Sequence, residues 1–367
     1  MQGNKMRSLP SIGRLLISGT IAVLIATGAP LAAYANPKMV IDVNSGRVIE
    51  HEDAFRKWYP ASLTKLMTAY TVFRAIKQRQ VGLDTIVTMS QKASAQPASK
   101  MYFKPGSQMT LDSALKIMLV KSANDVAVAI AETVGGSLDN FVGRMNGEAA
   151  RLGMRSSRFV NPNGLPGSGQ YTTARDLAVL AMAIRREFPQ YAGYFSLEGI
   201  NTGKRSYPNY NLLIGRFDGA DGMKTGYICA SGFNQVSSAT RRGRTVISVV
   251  LGADSLGERA DLSAELLQKG LTTSAGGVPL QSLAPYGAGR DAVADISAQI
   301  CNPKARAERS EGRDEEGRMV VHSPYIQEMN HPPRTVFAGL LAGSGAAASA
   351  GKPEIANVPI PIPRPTF

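Results

Sequence analysis

Strand-forming composition occurs in two stretches of this 367-residue chain, residues 39–50 and 222–251, and the sequence between them is mostly helical in its periodicity. A sheet built from both stretches must join the two ends of a domain, with the helices set aside as a layer or cluster. The first stretch reads as a hairpin: strand 39–43, a turn at Asn44-Ser45-Gly46, and strand 47–50. The second reads as strands 222–228, 232–239 and 244–251, with Arg241-Arg242-Gly243 turning between the last two. Between them, Leu63, Leu66, Met67 and Tyr70 recur at helical spacing after Pro60, up to residue 76. Thr110 opens a helix through Leu111, Leu115, Met118 and Leu119 that stops at Ser122, and Asp125 is placed to cap the next. Helices follow at 139–152, ending on Gly153, and from a Thr173/Asp176 capping box to 186; a last one, 258–269, would pack on the sheet. The pattern predicts an α/β (α+β) fold, a mixed sheet with a separate helical subdomain.

The chain divides into three parts. Lys5, Arg7 and Arg14 precede an apolar stretch, 15–26, and Ala33-Tyr34-Ala35 supplies a small-x-small cleavage site, so residues 1–35 read as a secretory signal with the mature chain starting at Asn36. The apolar stretch is interrupted by Ser18, Gly19 and Thr20 and is short for a membrane span, and no Cys follows it to carry lipid. Residues 36–270 are the expected main folded domain. Residues 271–367 are rich in Gly, Ala, Ser and Pro, with a mixed-charge run at 304–318, and read as a low-complexity, mostly disordered tail; 291–300 is the piece able to dock as a strand or short helix. The net charge is +13, of which the signal holds +3; residues 271–367 balance, so the remaining +10 lies on 36–270. Such a domain suits an anionic polymer or surface, but its basic residues are scattered rather than interleaved with aromatics, which argues against nucleic acid. Cys229 and Cys301 are too few for a disulfide framework; an exported protein could pair them or leave both as small apolar residues.

Three strings carry the chemistry: Ser62-Leu63-Thr64-Lys65, Ser122-Ala123-Asn124 and Lys224-Thr225-Gly226. In this order they form the motif set of serine acyl-transferases whose base is lysine. Two further Ser-x-x-Lys copies, at Ser113/Lys116 and Ser349/Lys352, lie in a helix interior and in the tail and lack this company. A serine hydroxyl needs a neighbouring base. The three histidines do not supply one: His322 and His331 fall in the tail, and His51 has no triad context. No Gly-x-Ser-x-Gly elbow is present either. Lys65, one helical turn from Ser62, would serve if burial and the charge of Lys224 lowered its pKa. Backbone N–H groups at the helix start would favour an oxyanion next to Ser62. Ser122 is placed to relay a proton to a leaving amine and Asn124 to bond a substrate amide. Lys224 and Thr225 would hold a carboxylate, and Gly226 would let a peptide lie close to the strand.

Beyond these strings, the sequence from 39 to 269 resembles the low-molecular-weight penicillin-binding proteins, the serine-type D-alanyl-D-alanine carboxypeptidases. The resemblance rests on Tyr59-Pro60-Ala61-Ser62-Leu63-Thr64-Lys65, Val120-Lys121-Ser122-Ala123-Asn124-Asp125, Asn161-Pro162-Asn163-Gly164-Leu165, Tyr171-Thr172-Thr173-Ala174-Arg175-Asp176-Leu177 and Asp221-Gly222-Met223-Lys224-Thr225-Gly226. It implies a beta-lactamase/transpeptidase-like fold and a Ser62 acyl-enzyme formed on the penultimate D-alanine of a peptidoglycan stem peptide, with Lys65 as base. It further implies that the Tyr227 and Ser62 backbone N–H groups form the oxyanion hole, that Arg259 lies near the substrate carboxylate, and that β-lactams acylate Ser62. No cofactor or metal is called for, and the expected location is the periplasm or cell envelope. Many relatives carry a second, strand-rich domain and an amphipathic anchor helix, which residues 271–367 do not resemble, so no stable membrane anchor is expected after signal cleavage. A D,D-endopeptidase would use the same residues. A class A β-lactamase would need a deacylating Glu, and no Glu-x-x-Leu-Asn string occurs. A non-catalytic peptidoglycan-binding protein would have no use for the Ser62/Lys65 pair.

Overall fold

The computed structural model describes residues 1, 3, 36–274, 276–311 and 320–344. The chain divides into units Met1–Tyr34 and Ala35–Phe367, and all the described helices and strands lie in the second. The expected signal, apart from Met1 and Gly3, and the tail beyond residue 344 lie outside the described residues. Among those residues no helix is long and apolar enough to cross a membrane.

The hairpin strands are β1 (Lys38–Asp42) and β2 (Val48–Glu52). After a 3-10 turn, Ala61–Leu63, comes α1 (Thr64–Lys77), then β3 (Ile86–Thr88), α2 (Gln91–Ser94), β4 (Gln108–Thr110), α3 (Leu111–Val120), α4 (Asn124–Gly135), α5 (Leu138–Arg151) and α6 (Ala174–Glu187). Two short strands, β5 (Gly199–Asn201) and β6 (Ser206–Pro208), precede the long β7 (Ala220–Ile228), β8 (Gly232–Arg241) and β9 (Arg244–Ala253). Then come α7 (Leu256–Thr272), α8 (Ser297–Ile300), α9 (Pro303–Glu311) and β10 (Thr335–Phe337).

The main sheet has the order β2-β1-β9-β8-β7, so β9 from late in the chain closes against β1 from its start. Every pairing in it is antiparallel, which corrects the expectation of a mixed sheet. For the β1–β2 pair and for β7, β8 and β9 the reason is local, since tight turns join them and tight turns make antiparallel neighbours; β1 and β9 pair antiparallel across the length of the domain. Among the described strands, β5 and β10 pair in parallel, and they belong to a separate small sheet. Strand β9 is buried on both faces. Ile247, Val249 and Leu251 join the core on the helical side, whereas Val246 and Val250 meet Ala260, Ala264, Leu266 and Leu267 of α7. Helix α1 is covered on almost all sides, and its Leu66, Met67, Tyr70 and Phe73 are fully buried.

The caps explain the helix starts. Thr110 Oγ1 accepts from Ser113 N at 3.2 Å, Thr173 Oγ1 from Asp176 N at 3.1 Å, and Ser255 Oγ from Glu258 N at 3.0 Å. Asp125, which the sequence places as the cap of α4, does not serve as one: Ala123 holds that position, and the Asp125 carboxylate accepts instead from Met101 N, Tyr102 N and Val126 N.

The chain after α7 also departs from the expected tail over its described part. Val278 and Gly46 carbonyls accept from Val48 N and Leu280 N, alongside β2. Ala294 N donates to Lys57 O, Ile296 N to Ala230 O, and the Asp261 carboxylate accepts from His322 N and Ser323 N. Leu280, Ile300 and Ala338 are buried. Composition conceals this docking because short extended pieces anchored to distant backbone need no periodicity of their own.

Candidate active site

The site lies where the 3-10 turn before α1, the α3–α4 connection and β7 meet. Ser62 belongs to the 3-10 turn, and the start of α1 puts Lys65 one turn further along the same face. Ala61 carries φ +47°, and Gly164 (φ +85°) is packed so closely that a Cβ on it would fall 1.8 Å from Ala61 O. Only glycine fits there, and the turn bearing Ser62 is held from outside by the 161–165 loop.

Ser62 is partly exposed while Lys65 is fully buried. The Lys65 amine lies 2.9 Å from Ser62 Oγ, 2.8 Å from Asn124 Oδ1 and 2.6 Å from Asn163 O. Asn124 Nδ2 donates to Pro97 O at 3.0 Å, which fixes the amide so that its oxygen faces Lys65. The two carbonyl-type partners can only accept. A neutral Lys65 amine therefore spends both hydrogens on them and turns its lone pair to Ser62. Burial drives the Lys65 pKa well below its ordinary value, the charge of Lys224 lowers it further, and Asp125 opposes the effect.

Lys224 is buried as well, and desolvation together with the neighbouring Arg259 lowers its pKa to about 7. Its ammonium donates to Thr225 O at 3.0 Å. Arg259, on α7, is buried; one of its amino groups donates to Tyr210 O at 3.2 Å, and its Nε has no hydrogen-bond partner among the described residues. Ser122 sits at φ +59° in the α3–α4 connection, and its buried Oγ likewise has no hydrogen-bond partner among the described residues. Neither the left-handed backbone of a non-glycine residue nor an unpaired buried hydroxyl adds to stability.

Gly226 pairs with Asn234 and Tyr227 with Phe233, so both lie on edge strand β7. The close approach that Gly226 permits in the structure is to the 3-10 turn: a Cβ there would stand 3.0 Å from Ser62 N and 3.1 Å from Leu63 N and Pro60 O. Directly after β7, Cys229 is disulfide-bonded to Cys301.

The structure thus gathers Ser62, Lys65 and Asn124 in one hydrogen-bonded cluster, sets Gly226 against it, and links Lys224 and Arg259 to it by charge. Two contributors were not assigned a role from the sequence. One is the Asn163 carbonyl, signalled only by the Asn-Pro-Asn-Gly turn chemistry around it. The other is the 96–102 loop, in which Gln96 Oε1 accepts from Asn163 Nδ2, Pro97 O from Asn124 Nδ2 and Ser99 O from Asn124 N. Nothing in its composition announces this.

With this geometry in hand, comparison with known proteins is specific. A family model described as D-alanyl-D-alanine carboxypeptidase matches residues 25–255. The D-alanyl-D-alanine carboxypeptidase DacC of Escherichia coli is 38% identical over 239 residues, covering 63% of this chain and 60% of that protein. DacF of Bacillus subtilis is 32% identical over 267 residues, 67% of this chain and 68% of its own. The chain spans 60 to 63% of the length of DacC and of the Haemophilus influenzae DacA. Among solved structures, DacD from Francisella tularensis superposes with a TM-score of 0.63 at 32% identity over 66% of this chain and 72% of that one. Penicillin-binding protein D2 from Listeria monocytogenes, solved with ampicillin bound, gives 0.58 at 29% identity over 65% and 97%.

Proposed function

This chain belongs to the D-alanyl-D-alanine carboxypeptidase family, and on that premise we propose that it removes the terminal D-alanine from peptidoglycan stem peptides through an acyl-enzyme on Ser62. The observation that carries the proposal is the buried Lys65 amine, whose two carbonyl partners leave its lone pair for the Ser62 hydroxyl.

Lys65 takes the Ser62 proton as Oγ attacks the carbonyl carbon of the penultimate D-alanine. The carbonyl oxygen becomes an oxyanion held by the backbone N–H groups of Ser62 and Tyr227. The C–N bond then breaks, the proton passes through Ser122 to the leaving amine, and D-alanine departs. Water, deprotonated by Lys65, attacks the ester and restores Ser62. Lys224, Thr225 and Arg259 hold the substrate's terminal carboxylate, Asn124 bonds its amide, and the peptide lies along the free edge of β7. β-Lactams enter as mimics of the same terminus and acylate Ser62, in keeping with the ampicillin complex of the Listeria relative.

We place the activity outside the cytoplasmic membrane, where this substrate lies. The export pattern of residues 1–35 and the Cys229–Cys301 bond, which suits an oxidising compartment, support that placement.

The test is incubation of the mature chain with a stem pentapeptide and a labelled penicillin, in wild type and Ser62→Ala. D-Alanine release and covalent labelling are both expected in wild type and absent from the variant. A wild type that does neither would refute the proposal.

A further inference from the structure

A residue that belongs to none of the three motifs connects the two walls of the site. Tyr210 lies in the connection between β6 and β7 and is half-buried. Its hydroxyl accepts from Lys121 Nζ at 2.6 Å, and Lys121 directly precedes Ser122. The same ammonium donates to Ser99 Oγ at 3.2 Å and stands 5.1 Å from the Tyr210 ring centre. At its other end, the Tyr210 carbonyl accepts from Arg259 at 3.2 Å. The loop has little freedom to move: buried Asn211, the next residue, donates to Gly222 O at 2.9 Å and accepts from Gln235 Nε2 at 3.1 Å, which ties it to β7 and β8.

One side chain and its own carbonyl therefore span from the neighbour of Ser122 to Arg259. In the reaction proposed above, on which this inference rests, the departing residue occupies the space between the same two groups. Its amine faces Ser122 and its carboxylate faces Lys224, Thr225 and Arg259. We propose that the Tyr210–Lys121 bridge is the end wall of that space and determines specificity: it admits a leaving group as small as D-alanine and obstructs a leaving amine that carries the rest of a second stem peptide. Tyr210 then makes the site an exopeptidase, favouring chain ends over crosslinks, by limiting size rather than by taking part in bond breaking.

The experiment compares kcat/KM for a stem pentapeptide and for a crosslinked dimer with the same donor peptide, in wild type, Tyr210→Phe, Tyr210→Ala and Lys121→Met. Wild type is expected to prefer the pentapeptide. Tyr210→Ala should lower that preference by about tenfold or more, a size typical of a steric pocket boundary, chiefly through faster dimer cleavage. Tyr210→Phe keeps the ring and loses its tether, so its ratio should fall between the two. Lys121→Met removes the tether from the other wall and should move the ratio the same way, which keeps the test decisive if Tyr210→Ala fails to fold. A ratio within about twofold of wild type in the folded variants, or a wild type that cuts both substrates equally, overturns the role of Tyr210 and leaves the carboxypeptidase reading standing. A wild type that releases no D-alanine from the pentapeptide overturns both.

Discussion

Gly226 and Ser62 are in direct backbone apposition: a methyl group on the Gly226 α-carbon would lie 3.0 Å from the Ser62 nitrogen. The other obstructing atoms, Leu63 N and Pro60 O, are backbone too, so no side chain can swing away to make room. Gly226→Ala should therefore displace the 3-10 turn from β7. We expect acylation by a labelled penicillin to slow by up to about tenfold, less than the roughly hundredfold loss that a full ångström of misplacement can cause. An acylation rate equal to wild type would show that the contact is not needed for the geometry of Ser62.

The charge of Lys224 lowers the pKa of Lys65, and this coupling is measurable. The acylation rate should rise with pH as Lys65 loses its proton, with a midpoint far below that of an ordinary lysine. Lys224→Gln removes the repelling charge and should shift that rising limb to higher pH. Lys65→Arg, which cannot deprotonate, should lose about 10²–10⁴ in rate. Stopped-flow acylation over a pH series that runs up to the ordinary lysine value of about 10.4 reads all three. An unshifted limb in Lys224→Gln would break the assignment.

Burying Lys224 also costs stability, with a defined sign. Its folded pKa of about 7 is below that of the unfolded chain, near 10.5, so the unfolded state binds more protons between these values. Its contribution is therefore least favourable at and below about pH 7 and improves as pH rises toward 10.5. Lys224→Met should raise the melting temperature at about pH 6, with a stability gain of at most about 5 kcal/mol, and the gain should shrink toward about pH 10. Calorimetry at the two pH values checks this; a gain that grows with pH would contradict it.

The Cys229–Cys301 bond closes a loop with a sequence separation of 72. Chain-entropy reasoning puts its contribution at about 4 kcal/mol. Reductant should lower the melting temperature of wild type, whereas Cys301→Ser should start low and not respond. Because Cys229 follows β7 directly, reduced wild type should also acylate more slowly. Unchanged melting on full reduction, verified by thiol titration, would refute the stabilising role.

What could be read from the sequence was whatever depends on short spacing. Ser62 and Lys65 share a helix face because they are three apart, and the strands of the main sheet appear as apolar runs between turn residues. What could not be read depends on contacts between distant segments. Asn163 acts through its main-chain carbonyl, which any residue type possesses, so its identity carries no signal for that role. Asp125 has the composition of a cap, but its carboxylate is taken by backbone N–H groups of residues 101 and 102, which sequence cannot place beside it. Ser122 was legible as a motif member, but not its positive φ or its unpaired hydroxyl.

The main sheet has two edges with opposite fates. One, β7, is the edge along which we propose the peptide binds, while the other, β2, is overlaid by residues 278–280, whose backbone bonds to Gly46 and Val48. A shortened form of the protein ending at residue 272, where α7 closes, would bare that second edge and leave the Val48 amide and the Gly46 carbonyl without these partners. Exposed strand edges recruit other strands. Shortening the chain to its recognisable catalytic part should thus yield a protein that self-associates, and the practical boundary for producing it lies beyond α7, past Cys301.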